Sequence, residues 1–535
     1  MNDLMLPRFP WTVILDAGVI ALSAWVVLSV FFGYTLGLHP ILLLLALGMG
    51  FFYFRNHRHV VPTSQTGIHY LGIWIIVLFG ALAFILFGLQ GGFDLSADVA
   101  PVFATQSIQN RIPLAYPTHP SIPFSYPVGL PVLLSQLTFL DTPLHLLAWA
   151  GGVIGILLLL FYATRWIHFF IPRKEVFVLA PLLFLGLRIP FLSLLTGEYP
   201  LLLGIGLGLG AAWLWKPSPG WSTLSLGAAF LAHPYAGMVG FLFHGIFNRL
   251  PIRDWVRSGV GIGIVALPAL IFQYIPLLGQ IQGMGGIVGN SIPSLGTILA
   301  IPSLVGIIPF LLGVGVLIWA AFHRKRKPRD WERVAALLVG GGVLGYGLAG
   351  FFPAFVFGGK MIYLAAIGVM LAATGGIFSG VSPIHLKKTG IILLVLILGI
   401  WATSSSATHF IYGSKATIAE ARFAEWFGNR EAGGSKVLFL SPGHGKMGEY
   451  AGMLPFDFKS THYFSSLTFQ TVSNEATLML SQDAARFQET LANRCLSCVK
   501  EFDAAFIVVN TSVFPLLPDH VLLYEKDGFL VYRGQ

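Results

Sequence analysis

The chain has 535 residues, 55% hydrophobic and 10% charged, with a mean hydropathy of +0.77. Soluble domains carry about a quarter charged residues, so the composition excludes an ordinary soluble protein and implies a polytopic helical membrane protein. The net charge of +9 does not signal a nucleic-acid partner. Residues 1–412 hold 21 Lys and Arg against 10 Asp and Glu, and residues 413–535 hold 11 against 13, so the excess lies where basic loops set membrane orientation.

In chain order, apolar runs predict thirteen spans: 11–33, 36–54, 70–89, 143–164, 176–195, 199–215, 222–235, 236–250, 258–279, 297–321, 332–352, 361–380 and 389–408. The start, "MNDLMLPRFPWTVILDAG", has no signal-peptide cleavage pattern, so the first span is expected to be retained. Asp16, near the beginning of that span, is expected among lipid headgroups. The seventh and eighth spans are short and flank Pro234, which marks them as half-length or tilted.

Loop charge tests this threading. With the N-terminus in the cytoplasm, eighteen basic residues fall in cytoplasmic loops, six of them in "HRKRKPRDWER", whereas the opposite loops carry only Arg111 and Lys360. The segment 91–142 and everything beyond 412 then lie outside. The tail 413–535 reads as a small α/β domain. It has helical periodicity in "KATIAEARFAEWFGNR" and "ATLMLSQDAARFQETLANR", strands at "KVLFLSP" and "DAAFIVVN", and a hairpin "VLLYEKDGFLVYR" turning at Asp527-Gly528. Cys495 and Cys498 in "NRCLSC" are too few for a zinc ribbon and read as ordinary thiols or one local disulfide.

The external segment opens with two carboxylates, Asp94 and Asp98, four residues apart and on one face if helical. Taken alone they are a solvated helix start, with Asp94 or Ser96 as the cap. The following "YPVGLPVLLSQLTFL" is apolar but too short for an upright span, which predicts an interfacial or re-entrant helix under a lipid-facing cleft. Arg188 lies inside a predicted span, about 20 Å from its cytoplasmic end, so it needs a partner or an aqueous cavity. Glu198 is too far along a straight helix to serve, and reads as a loop residue or part of a site. Asp94, Asp98 or a lipid phosphate is the expected partner. Lys360 opens a span from the outside, where it either snorkels to headgroups or joins a site. His119 and His233 occupy external positions. Tyr116 and Tyr126 suit either the aromatic belt or sugar stacking.

The text "SADVAPVFATQSIQNRIPLAYP", then "YPVGLPVLLSQLTFL" and "LHLLAWAGGVIGILLLLFYATRW", resembles membrane glycosyltransferases of the GT-C superfamily. The later "LLTGEYPLLLGIGLGLGAAWLW" and "AAFLAHPYAGMVGFL" are similar to the helices that follow there. The likeness covers roughly residues 70–250 and the remainder by layout, leaving 1–69 as an added N-terminal hairpin, 70–412 as the GT-C-like domain and 413–535 as the external domain. Two features depart from the family. Its acidic pair is often adjacent, and the Trp-Trp-Asp-type signature of oligosaccharyltransferases is absent from the tail, which speaks against asparagine glycosylation.

The resemblance implies transfer of a sugar from a polyprenyl-phosphate donor to a lipid, glycan or protein acceptor at the outer face of the cytoplasmic membrane. Asp98, then Asp94, is the implied base, or either one ligates a divalent cation (Mg or Mn), the one cofactor expected. Arg111, Arg188 and Lys360 are implied to meet the donor phosphate. Tyr116, His119, Tyr126, Glu198 and His233 are implied substrate contacts. In the same reading "IQGMGGIVGNSIPSLG" is a mobile lid; separately, the tail loop with His444, Lys446 and Glu449 reads as a surface loop or as one that folds back over the cleft. The rival functions are a transporter or flippase for lipid-linked saccharides, for which no internal repeat is visible, and a non-catalytic envelope scaffold.

Overall fold

The computed structural model describes residues 11–57, 104–105, 108, 110–116, 119–124, 127–140, 142, 144–195, 198–276, 299, 301–322, 328–349 and 360–378. Toward the C-terminus it describes residues 435–440, 453–456, 493–500, 506–510, 517, 520–526 and 529–533. Asp94, Asp98, Tyr126, the predicted spans 70–89 and 389–408, the loop 281–296, the predicted helix 415–430 and most of 476–494, and His444, Lys446 and Glu449 lie outside these residues.

The first part is helical. The helices are α1 (Trp11–Tyr34), α2 (Ile41–His57), α3 (Gly129–Gln136), α4 (Leu144–Phe170), α5 (Val176–Leu185), α6 (Ile189–Leu195) and α7 (Tyr199–Leu214). They continue with α8 (Pro219–Ala232), α9 (Pro234–Asn248), α10 (Ile252–Val265), α11 (Ile301–Val305), α12 (Ile307–Phe322), α13 (Asp330–Ala349) and α14 (Ile362–Phe378). Among the described residues two helices are long and apolar enough to cross a bilayer alone, Thr12–Tyr34 and Leu147–Phe170. A bent pair, Ile252–Val265 with Leu267–Tyr274 at 67°, makes a third.

The count of thirteen spans expected from hydropathy is therefore not confirmed. The predicted span 176–195 is two helices, parted at Gly186–Arg188 where the backbone of Gly306 (φ +119°) crosses it and Val305 accepts the Arg188 N–H at 3.0 Å. Proline accounts for the break between α8 and α9. The residue before a proline is forced out of the helical region, and His233 is extended at φ −162°, ψ 123°.

Helix α7 is the hub, almost wholly buried and packed on α4, α8 and α9. Its glycines permit that closeness: a methyl on Gly208 would lie 2.6 Å from Gly240 Cα, and one on Gly204 2.5 Å from Ala236 Cβ. Opposite, a methyl on Gly155 of α4 would lie 2.5 Å from the Leu202 carbonyl carbon.

The apolar helix after the external loop is α3, only eight residues long, and Gly129 through Leu134 are buried by protein. Gly129 abuts the Ala232 backbone, and Gln136 donates to Ser29 Oγ at 2.7 Å and accepts from Trp25 Nε1 at 3.3 Å. It is thus a short helix inserted among α1, α4, α7 and α8, so of the two placements expected for it, interfacial or re-entrant, burial by protein speaks against the first. Only its sequel, Phe139 and Leu140, is an exposed apolar surface.

The C-terminal strands β3 (Ser435–Leu440), β4 (Met453–Phe456), β5 (Phe506–Asn510), β6 (Leu522–Lys526) and β7 (Phe529–Arg533) form one sheet in the order β4-β3-β5-β7-β6. The pair β3–β5 is parallel and the others are antiparallel, with β6–β7 the hairpin expected around Asp527-Gly528. Alternation along β5 buries Ile507 and Val509. Cys495 and Cys498 are joined in a disulfide, which settles the two sequence readings.

Candidate functional site

Side-chain contacts sort the helix ends into two groups. At one end, Asp16 of α1 meets Arg165 of α4 at 2.5 Å and accepts from the Tyr162 hydroxyl at 2.8 Å, while Arg165 lies over the Trp213 ring of α7 at 4.1 Å. Asp16 is buried, so its expected place among headgroups is corrected. A carboxylate in a helix core needs a cation and a donor, and it has both. Trp213 is 15 residues beyond Glu198, so Glu198 stands about 22 Å away at the other end of α7.

Around Glu198 a second charged group assembles. Pro200 suits the first turn of α7, and a carboxylate ahead of it faces the positive end of the helix dipole. Glu198 accepts from the Ser193 hydroxyl at 2.7 Å and is bonded to Lys360, which immediately precedes α14. Burial pushes the Glu198 carboxyl up. The charge of Lys360 and hydrogen bonds from Lys360 and Ser193 outweigh that and hold it below its ordinary value of 4.5. Tyr363, three residues past Lys360 and fully buried, lies within electrostatic range of Glu198 and Ser193. Lys360 therefore does not snorkel to headgroups; a carboxylate 162 positions away holds it.

His233 completes the group, within electrostatic range of both Lys360 and Glu198. Its Nδ1 accepts the Tyr235 N–H at 3.3 Å, capping α9, so in the neutral ring the proton sits on Nε2. That leaves a neutral donor beside an ion pair. An ammonium has three donor hydrogens, of which Glu198 takes one. The arrangement can accept an anionic oxygen without itself being strongly charged.

The remaining predicted residues divide. Arg188 immediately precedes α6, five residues before Ser193, and is half-buried; among the described residues its guanidinium has no carboxylate partner. Arg111 is exposed, on a segment pinned to the end of α1 by Leu38 N–H to Asn110 O (2.8 Å) and Ile112 N–H to Gly33 O (3.0 Å). Tyr116 and His119 are backbone register partners in the two-stranded sheet of β1 (Ala115–Tyr116) and β2 (His119–Pro123). So Glu198, Lys360 and His233 are brought together, Arg188 lies in the break just before α6, and Asp94 and Asp98 lie outside the described residues. Sequence reading missed Ser193 and Tyr363. Ser193 carries no sequence signal, whereas the Lys360/Tyr363 spacing would have flagged the tyrosine. Among the described residues no group of three His, Cys, Asp or Glu side chains is gathered that could hold a metal ion.

No family model and no curated protein matches the chain. Among solved structures it is similar to the arabinofuranosyltransferase AftD from mycobacteria, determined by single-particle cryo-EM. Identity is 14% and TM-score 0.50, over 86% of this chain and 40% of that one. The chain thus spans about two fifths of the length of that protein, and the likeness speaks to fold alone: the helical bundle described above is similar to the matching part of that transferase.

Proposed function

We propose that the protein is a membrane glycosyltransferase that moves a sugar from a polyprenyl-phosphate donor to a hydroxyl acceptor at the outer face of the cytoplasmic membrane. The observation that carries this reading is the Glu198–Lys360–His233 group, in which a carboxylate bonds one half-buried donor and lies within electrostatic range of another, at one end of a bundle similar in fold to part of AftD.

In this mechanism Asp98, with Asp94 as the alternative, takes the acceptor's hydroxyl proton, and the acceptor oxygen bonds to the anomeric carbon. The bond to the phosphate oxygen breaks, and the polyprenyl phosphate leaves already ionised, needing positive charge rather than an acid. Lys360 and His233 Nε2 supply donors to it, and Arg188 supplies the charge that Glu198 partly cancels on Lys360. Arg111 extends the positive field at the external surface. Tyr116, His119 and Tyr126 belong to the acceptor side, and residues 413–535 form an external domain beside it. A divalent cation, Mg or Mn, enters only as a ligand of Asp94 and Asp98, and no step here depends on it.

The test is transfer of radiolabelled sugar from a panel of polyprenyl-phosphate sugars, an arabinofuranosyl donor included because the structural neighbour's name specifies that sugar. Asp98→Ala is expected to abolish transfer while leaving a folded, monodisperse protein. Full activity of purified Asp98→Ala removes the proposed base, and no transfer from any donor by the wild type removes the reading.

A further inference from the structure

A second polar group adjoins the charged one and has no part in the mechanism above. Tyr34, the last residue of α1, donates to Gln273 Oε1 at 3.3 Å and stacks on Phe272 at 5.4 Å. Gln273 and Tyr274 lie in a π-helical turn, Leu270–Tyr274, within the 67° bent pair. Such turns insert a residue into a helix and recur at functional sites. This one shows Ile271 and Ile275 to the outside and buries Gln273. Tyr274 packs edge-on against Phe230, and its hydroxyl is within electrostatic range of Tyr34 and Tyr235. Tyr235 is the residue whose N–H bonds His233.

Buried tyrosine hydroxyls without a partner among the described residues are those of Tyr199, Tyr363 and Tyr274, and of these only Tyr274 lies in this group. The Tyr274 hydroxyl is shut off from solvent and, among the described residues, has no hydrogen-bond partner. A membrane-belt tyrosine keeps its hydroxyl in the headgroup layer, where water and lipid satisfy it. An unsatisfied buried hydroxyl costs stability, and native proteins retain few of them without a use. The four side chains Tyr34, Tyr235, Gln273 and Tyr274 include no carboxylate, ammonium or guanidinium. Phenol hydroxyls and a carboxamide pair with neutral hydroxyl groups, and aromatic faces cover the C–H face of a sugar ring.

We propose that Tyr34, Tyr235, Gln273 and Tyr274 form a neutral carbohydrate subsite, taking a sugar ring of the acceptor, joined at His233 to the charged group that takes the donor phosphate. The word acceptor rests on the transferase reading; sugar binding does not.

The test uses the full chain in lipid nanodiscs, free of glycoside detergents, with n-octyl glycosides of arabinose, mannose and glucose as probes. Binding is read by isothermal titration and stability by thermal unfolding. The wild type is expected to bind at least one glycoside. Tyr274→Phe should keep or raise the unliganded Tm and weaken that binding about tenfold, the size of one hydrogen bond. Tyr34→Phe, which spares Tyr274, should weaken it severalfold. The subsite is overturned if the wild type binds no glycoside, if Tyr274→Phe binds as well as wild type, or if it lowers the Tm, which would mean the hydroxyl already has a partner. Tyr274-dependent binding without sugar transfer would leave the subsite standing and remove the transferase. Transfer with an unchanged acceptor KM in Tyr274→Phe would do the reverse.

Discussion

The two charged groups at opposite ends of the bundle are built from the same parts and closed to different degrees. Asp16 and Arg165 have side chains 8% and 12% exposed, and every face of the pair is covered, by Tyr162 on the carboxylate and by Phe161, Tyr162 and Trp213 on the guanidinium. Glu198 and Lys360 have side chains 31% and 28% exposed, and a histidine with a spare donor stands beside them. A sealed ion pair can only pack. A pair left partly open keeps donors for something that arrives, and that difference is why the site proposed above is placed at Glu198 and Lys360 and not at Asp16 and Arg165.

Variants that unbalance each end sharpen this contrast. Asp16→Ala strands a buried guanidinium and should cost about 3–5 kcal/mol, read as a large drop in Tm and yield. Replacing both partners with apolar residues, Asp16→Leu with Arg165→Met, should recover most of that loss, as sealed pairs allow. Lys360→Met should lower sugar transfer by about 10²–10³-fold, the range for one charge-stabilising donor, with a smaller Tm change than Asp16→Ala. A larger stability loss than at Asp16 would make both ends structural. His233→Asn retains a side chain able to cap α9 but drops the Nε2 donor, so transfer should fall about tenfold with Tm unchanged.

The smallest effect is in pH. Because the folded-state pKa of Glu198 is depressed, its stabilising contribution is fully present above the ordinary carboxylate value of 4.5 and is lost as pH falls through the folded value. The Tm difference between wild type and Glu198→Gln should therefore be constant near neutrality and close in the acid range. A gap that instead opened on acidification would reverse the assigned sign.

Hydropathy located most helices because lipid-facing and buried residues alike are apolar in a bilayer protein, but it could not see where backbones cross. The 176–195 run is uninterrupted in polarity, and its break depends on Gly306, more than a hundred residues on, passing over Gly186. Likewise α10 begins at Ile252 rather than 258 because Arg253, Asp254 and Arg257 are tolerated on its exposed face. Glu198, Lys360 and His233 were each legible as candidates, since ionisable residues at span ends are sparse. Their mutual pairing was not, because it is set by how α7, α8 and α14 assemble and no local spacing encodes that. The reverse error occurred at Asp16, where depth near a span end suggested solvent while the packing of α4 supplied a partner.

Helix α7 carries Glu198 at its head and is wedged along its length where glycines touch neighbouring backbones. Gly208 lies about 15 Å down the helix from Glu198, yet any side chain placed there would lever the whole rod away from α9 and take the carboxylate with it. The aim of the charged group is thus fixed remotely, by positions occupied only by hydrogen. In the transferase proposed above, mutational drift along that seam would detune transfer without touching a single reactive atom.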